Sequence, residues 1–443
     1  MNLKRHLARL AQGSLAEPTS APRVSAEDAL AELRRKMNEI LEREAAPSSV
    51  PLQMSSQEPP PFTARDFAAL DDLVTEVESE HGRYFVRKKV LGITAQVGQQ
   101  ALASPASIDP GILALLALSP ALAGVNYEKA LFLDTETTGL GTGAGVIPFL
   151  VGLGWFENGR FRVEQSLLAA PEQEAAMLRA LAELVRKAEV LVTFNGKSFD
   201  WPLLESRFVM NRLPVPQAPP HLDLLHVARR IHKQRLGRCN LKAIETHVLG
   251  FERIDDIDGA EVASRYIHYL HSGSSVGLRP VVEHNYLDVV GMAALVSLYG
   301  DASLTVAERD PFGVARTLRR AQAYDLAASV CGRAIAAGGG AEIYGVRAEI
   351  HRALGDRPRV IADLEMAGDT PHVRLQLAKL YEHFLRRPEL ALDMAARGTA
   401  EMPEQAARRR LRLTSKLASN VGAELPQGVR PRRGRPTGPK VGV

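Results

Sequence analysis

The sequence predicts an α/β fold, a mixed sheet flanked by helices, followed by an all-α helical-repeat region, with disordered tails at both ends. Three observations predict this. Short apolar runs separated by turn signals occupy residues 129–300. A helix, a further apolar strand and another helix complete that pattern in order. After Gly300 the strand-like runs stop and helical spacing takes over.

Residues 1–61 are rich in Ala, Pro, Ser and Glu and close on Glu58-Pro59-Pro60-Pro61, a composition that builds no core. One amphipathic helix is expected inside this stretch, because Leu30, Leu33, Met37 and Ile40 recur three and four residues apart after Ser25. Residues 62–128 read as a flank packed on the domain that follows, with a helix from Phe67 to Val77, a strand from Arg83 to Leu91 and apolar segments near Ile112. Within 129–300, Leu131-Phe132-Leu133 begins the strands. Val146–Phe156 and Phe161–Leu168 continue them, joined by the hairpin signal Asn158-Gly159. Pro171–Lys187 has helical spacing with proline at its start, and Val190–Phe194 is a buried strand. In 301–410 the spacing predicts helices over Arg316–Ala337, Glu342–Leu354, Arg359–Met366, Val373–Leu385 and Glu389–Ala400. Leu354-Gly355-Asp356-Arg357-Pro358 and Leu385-Arg386-Arg387-Pro388 mark a degenerate repeat of tetratricopeptide type. Residues 411–443 read as a basic disordered tail.

Composition narrows the class. A chain of 443 residues exceeds one hydrophobic core, and 45% hydrophobic with 24% charged residues is ordinary for a globular protein. The net charge of +4 is small, but Arg and Lys gather around Arg229–Lys242 and after Arg408, which points to a polyanionic partner. Cys239 and Cys331 stand far apart without zinc spacing, which fits a reducing cytoplasm. Met1–Gln12 lacks the apolar core of a secretion signal. Ile112–Val125, broken by Pro120, is too short to span a bilayer, so a cytoplasmic protein without membrane attachment is expected.

The chemistry lies in acids. In Leu131-Phe132-Leu133-Asp134-Thr135-Glu136-Thr137 an apolar strand runs into two carboxylates one residue apart, and strand alternation puts Asp134 and Glu136 on one face. Adjacent carboxylates at a core edge repel each other and call for a cation. Val192-Thr193-Phe194-Asn195-Gly196-Lys197-Ser198-Phe199-Asp200 is a strand, a turn and an Asp that opens a helix. In Glu283-His284-Asn285-Tyr286-Leu287-Asp288, His284 and Asp288 share a helical face. Phosphodiester hydrolysis needs a nucleophile, charge neutralisation and leaving-group stabilisation, which two divalent ions about 4 Å apart supply when carboxylates hold them.

These strings resemble the motifs of the DEDD exonuclease superfamily of ribonuclease-H-like proteins, and more narrowly its YprB-like branch, which pairs such a domain with tetratricopeptide-type helices. The resemblance covers about 170 residues. It implies a 3′ to 5′ exonuclease with two Mg²⁺ or Mn²⁺ ions on Asp134, Glu136, Asp200 and Asp288, and His284 as the base for the attacking water. The spacing from His284 to Asp288 is that of the tyrosine subgroup, not the histidine one. Single-stranded DNA is the substrate favoured over RNA, with Thr137, Asn195, Arg235, Arg238 and Lys242 contacting it. Asp223, in His221-Leu222-Asp223, reads either as an acid orienting a lysine or water near the site or as a helix cap. Two other functions fit the same chain: a nuclease fold kept for binding nucleic acid, and an adaptor whose repeats recruit a protein partner. Pro431-Arg432-Arg433-Gly434-Arg435-Pro436 resembles an AT-hook core, against the default of a disordered basic tail.

Overall fold

The computed structural model describes residues 73–139 and 145–423, so the amphipathic stripe around Leu33 and the Arg-Gly-Arg tail lie outside the described residues. Those described form two compact units, one through Ala323 and one from Tyr324.

The first unit opens with the hairpin β1 (Thr75–Ser79) and β2 (Gly82–Gly92), the short pair β3 (Gln96–Val97) and β4 (Gln100–Ala101), and helix α1 (Pro110–Ala117). The antiparallel strands β5 (Ala130–Thr137), β6 (Pro148–Glu157) and β7 (Arg160–Leu167) follow, then α2 (Glu174–Lys187), β8 (Val190–Thr193), α3 (Asp200–Met210) and β9 (His221–Asp223). Helices α4 (Leu224–Leu236), α5 (Leu241–Ile244), α6 (Gly259–Ser272), α7 (Leu278–Tyr299), α8 (Val306–Arg309) and α9 (Pro311–Arg320) complete it. Seven strands make one sheet in the order β1-β2-β7-β6-β5-β8-β9. Among the described residues only β5–β8 and β8–β9 pair in parallel, so the sheet is mixed, as the sequence predicts. Asn158 and Gly159 turn the β6–β7 hairpin with φ of 50° and 68°, the left-handed conformation expected of that dipeptide.

One expectation fails at the start. Thr75–Ser79 is a strand and not the end of a helix; it pairs with β2 from Thr75 opposite Val86 to Ser79 opposite Gly82. The apolar residues that look helical in sequence serve two sheet faces instead: Leu73 and Val74 bury in one core and Val77 packs on the other. The hairpin thereby extends the sheet into the segment expected only to flank it.

Strand alternation decides the layers. Leu131 and Leu133 of β5 pack with Met177, Leu181, Trp201 and Leu204 of α2 and α3 on one face. Phe132 meets Phe161 edge-on on the other, where α7 crosses β5, β6 and β7. Helix α7 comes close because β6 carries Gly152 and Gly154 on that side. A Cβ at Gly152 would lie 2.2 Å from Asn285 Oδ1, and one at Gly154 would lie 2.7 Å from a Val289 methyl. Among the described residues α7 is the one helix long and apolar enough to cross a membrane, yet 72% of its apolar window is buried in this packing.

The described residues of the second unit are all helical: α10 (Tyr324–Ala336), α11 (Ala341–Ala353), α12 (Arg357–Met366), α13 (Pro371–Leu380), α14 (Pro388–Ala396) and α15 (Pro403–Ala423), each packed on the next. Helix α15 continues through residues 411–423, where a disordered tail is expected, because Leu413 is buried in the core of this unit. The single helix expected over 316–337 is broken, since Gln322, at the turn that ends α9, has φ of 57°. Ala321 and Ala323, fully buried, anchor that turn.

Candidate active site

Strand β5 carries Asp134 and Glu136 beyond its apolar half, on the face that looks toward α7. Two turns of α7 bring up His284, Asn285 and Asp288. The Asn195-Gly196-Lys197 turn after β8 delivers Asp200 at the first position of α3. Glu136, His284 and Asp288 offer ligand atoms that all lie within 4.8 Å of one another. Asp134 and Asp200 join the same electrostatic cluster. Burial and the charges of Asp288, Asp200 and Glu136 push the Asp134 carboxyl well above its usual range. Burial lifts Glu136 to about 7, with Asp288 and Asp200 adding to the rise. Burial likewise lifts Asp200 to about 6, against the hydrogen bonds of Thr135, whose Oγ1 and backbone N–H donate to Asp200 Oδ1 at 2.5 and 3.2 Å.

Three further groups hold this cluster. Asn285, fully buried, donates from Nδ2 to Asp134 Oδ2 at 2.8 Å, and its Oδ1 accepts from Gln165 Nε2 at 2.8 Å. Arg253 donates to Asp288 Oδ1 and makes a bidentate pair with Glu245 at 2.7 and 2.8 Å. Burial alone would lower the Arg253 pKa, but Asp288 and Glu245 outweigh it and keep the guanidinium charged. Asp256 Oδ1 lies 2.6 Å from His284 Nδ1, which leaves Nε2 facing Asp288 Oδ2 at 3.7 Å. Burial would depress the imidazole, yet Asp288, Asp256 and Glu136 raise its pKa.

A divalent cation fits this donor set. Four carboxylates converge from two strand positions and two helices, and Glu136 Oε1 is buried without a hydrogen-bond partner among the described residues. Hard oxygen donors with an imidazole beside them suit Mg²⁺ or Mn²⁺ better than a softer metal.

The remaining expected residues divide. Asp223 caps α4 through Leu225 N–H at 3.1 Å and ties down the Asn195 and Lys197 amides at 2.8 and 3.2 Å, fixing the turn that leads to Asp200. It orients no lysine side chain in the described contacts. Asn195 holds φ of 72° in that turn. Thr137 Oγ1 donates to Gly139 O at 2.6 Å. Lys242 lies 3.5 Å from Asp256, at the rim of the cluster. Arg238 lines a cavity of about 720 Å³ that Asn195 also lines. Arg235 is drawn elsewhere: its guanidinium grips Asp310 with two contacts of 2.7 Å, so its charge is already matched inside the protein. Sequence reading missed Asn285, Gly152, Arg253, Glu245 and Asp256. A glycine pair two apart on an apolar strand, with Asn three residues before an acid, is the signal that could have found the first two.

Residues 131–299 match the model of the RNase_H superfamily. Over 178 residues the chain is 39% identical to the uncharacterized protein YprB of Bacillus subtilis (strain 168), a match that covers 40% of this chain and 42% of that protein. The chain thus spans less than half the length of its curated relative. A family B DNA polymerase of Pyrobaculum calidifontis is similar at 14% identity and a TM-score of 0.31, over 45% of this chain and 29% of that one, too slight a likeness to carry an argument.

Proposed function

We propose, from the premise that residues 131–299 form a ribonuclease-H-like domain similar to that of YprB, that the chain hydrolyses phosphodiester bonds of nucleic acid. The observation that carries this reading is the buried acidic cluster with its orphaned Glu136 oxygen. Idle carboxylates would gain nothing from mutual repulsion at a core edge.

Asp134, Glu136, Asp200 and Asp288 are the residues that would hold Mg²⁺ or Mn²⁺. When bound, the ions supply Lewis acidity that activates water and offsets phosphate charge. Around them the chain's own groups set the geometry. Asn285 and Thr135 orient the Asp134 and Asp200 carboxylates through the bonds described above. His284, held at Nδ1 by Asp256, would accept a proton from the attacking water at Nε2. The favoured reaction is 3′ to 5′ removal of nucleotides from single-stranded DNA.

A second reading has its own observation. Arg253 already supplies a cation to Asp288 from within the protein, as it would in a fold that binds strands without turnover. Labelled single-stranded DNA and RNA, incubated with Mn²⁺ or Mg²⁺ and wild type or Asp134→Ala, separate the two. Metal-dependent shortening lost in the variant supports the hydrolase; binding without shortening supports the second reading.

A further inference from the structure

Helix α9 crosses α4 at unusually close range. A Cβ at Gly313 would lie 1.9 Å from the Ile231 carbonyl oxygen, so only glycine allows the crossing. Its result is a concentration of like charge. Arg229, Arg230 and Lys233 of α4 and Arg316 and Arg320 of α9 together line a cavity of about 360 Å³. Arg229 and Lys233 also line the neighbouring cavity of about 720 Å³, with Arg238 and Asn195.

No carboxylate is among the described residues lining either cavity. Elsewhere in the unit deeply buried arginines are paired with acids, as Arg207 is with Glu174 and Arg253 with Glu245. Here they are not. Arg230 is half-buried, donates to the Leu116 carbonyl at 3.4 Å and has Arg320 as its neighbour; burial together with that charge lowers its pKa, against the opposite pull of Asp223. Five to six cations drawn together by a tight helix crossing repel one another and call for an anion from outside the chain. Arg316 stacks its guanidinium 5.3 Å from the Phe312 ring centre, and Phe194, Leu225 and Leu241 give the larger cavity apolar wall. Charge for phosphates beside flat and apolar surface for bases is what a nucleic-acid strand requires.

We propose that these two cavities form one strand-binding track, running from Asn195 along α4 to α9, which holds the phosphates of a nucleic acid whose scissile bond lies at the acidic cluster. Asn195 is the link: it lines the track, and its turn delivers Asp200. The placement relative to the scissile bond rests on the reading of the cluster as a phosphodiesterase site; the track itself rests on the charge alone.

The test is fluorescence-anisotropy binding of 5-mer and 20-mer single-stranded DNA to the full chain in EDTA, where hydrolysis plays no part. Arg316→Glu with Arg320→Glu should weaken 20-mer binding by about 10-fold or more, affect the 5-mer less, and reduce the salt slope by about 1.4 for two lost phosphate contacts. Arg179→Glu with Arg186→Glu, the same charge change on the exposed side of α2, should bind as wild type. Thermal unfolding of each variant confirms that it is folded, and Arg316→Gln with Arg320→Gln serves in its place if the charge reversal unfolds. If the α9 variant loses no more affinity than the α2 variant, the track is overturned. Should the wild type bind through the track yet leave DNA intact with Mn²⁺ and Mg²⁺, the hydrolase reading fails while the track stands.

Discussion

Asn285 and Asp134, 151 residues apart, meet at 2.8 Å because β6 offers glycine where any side chain would hold α7 away. For this pair, Asn285→Ala leaves the Asp134 carboxylate without its hydrogen-bond donor, at a cost of about 1–3 kcal/mol, while Gln165 keeps its bond to Val282 O at 2.6 Å. Loss of the orienting bond should lower turnover about 10–100-fold. Gly152→Ala should do comparable damage by displacing the same amide. Urea unfolding and nuclease assays of both variants check this, and a Gly152→Ala protein as stable and active as wild type would contradict the close approach.

Acids raised by burial make the metal-free protein pH-sensitive in a defined direction. Glu136 is protonated in the folded state up to about 7 but ionises near 4.5 once unfolded. Its contribution to stability is therefore present at low pH and lost as pH rises through that interval, on the order of 1–3 kcal/mol. Glu136→Gln should stabilise the protein in EDTA at pH 8 while abolishing stabilisation by Mn²⁺. Differential scanning fluorimetry with and without Mn²⁺ reads both effects.

Arg253 and Glu245 are nearly inaccessible, with side-chain exposures of 1% and 0%. Removing the guanidinium in Arg253→Met strands two buried carboxylates and should cost about 3–5 kcal/mol. Adding Glu245→Gln removes one of them and should restore much of the loss. Guanidinium denaturation of the single and double variants gives the comparison; equal stabilities would mean that the pair is not coupled.

His221 supplies an opposite pH dependence. Burial lowers its pKa to about 4, and its Nε2 sits 2.8 Å from Thr193 Oγ1. Because the unfolded imidazole titrates near 6.5, the stability it confers is complete above that pH. It is lost as pH falls toward 4, by at most about 3 kcal/mol. His221→Gln should flatten the difference in unfolding free energy between pH 7 and pH 4.5 relative to wild type.

The elements that place the site were legible wherever one residue pattern determined them. Leu131-Phe132-Leu133 ends in acids on the same side because alternation along a strand is a local rule, and Asn158-Gly159 has one favoured turn. Asp200 was readable only as one of three acidic motifs, since alone it opens a helix like many others. What escaped was non-local. Thr75–Val77 looks helical until β2 supplies its hydrogen bonds. Arg235 looks free until Asp310, 75 residues on, takes its charge. Arg253 lies in a loop whose composition says nothing, and its role exists only once α7 brings Asp288 to it.

Anomalous diffraction from crystals grown with Mn²⁺ examines the central claim directly. Peaks should appear among Asp134, Glu136, Asp200 and Asp288, a pair about 4 Å apart when both ions bind, with a Glu136 oxygen as a ligand of one of them. A map without manganese at these four residues, at concentrations that saturate ordinary two-metal nucleases, would contradict the account.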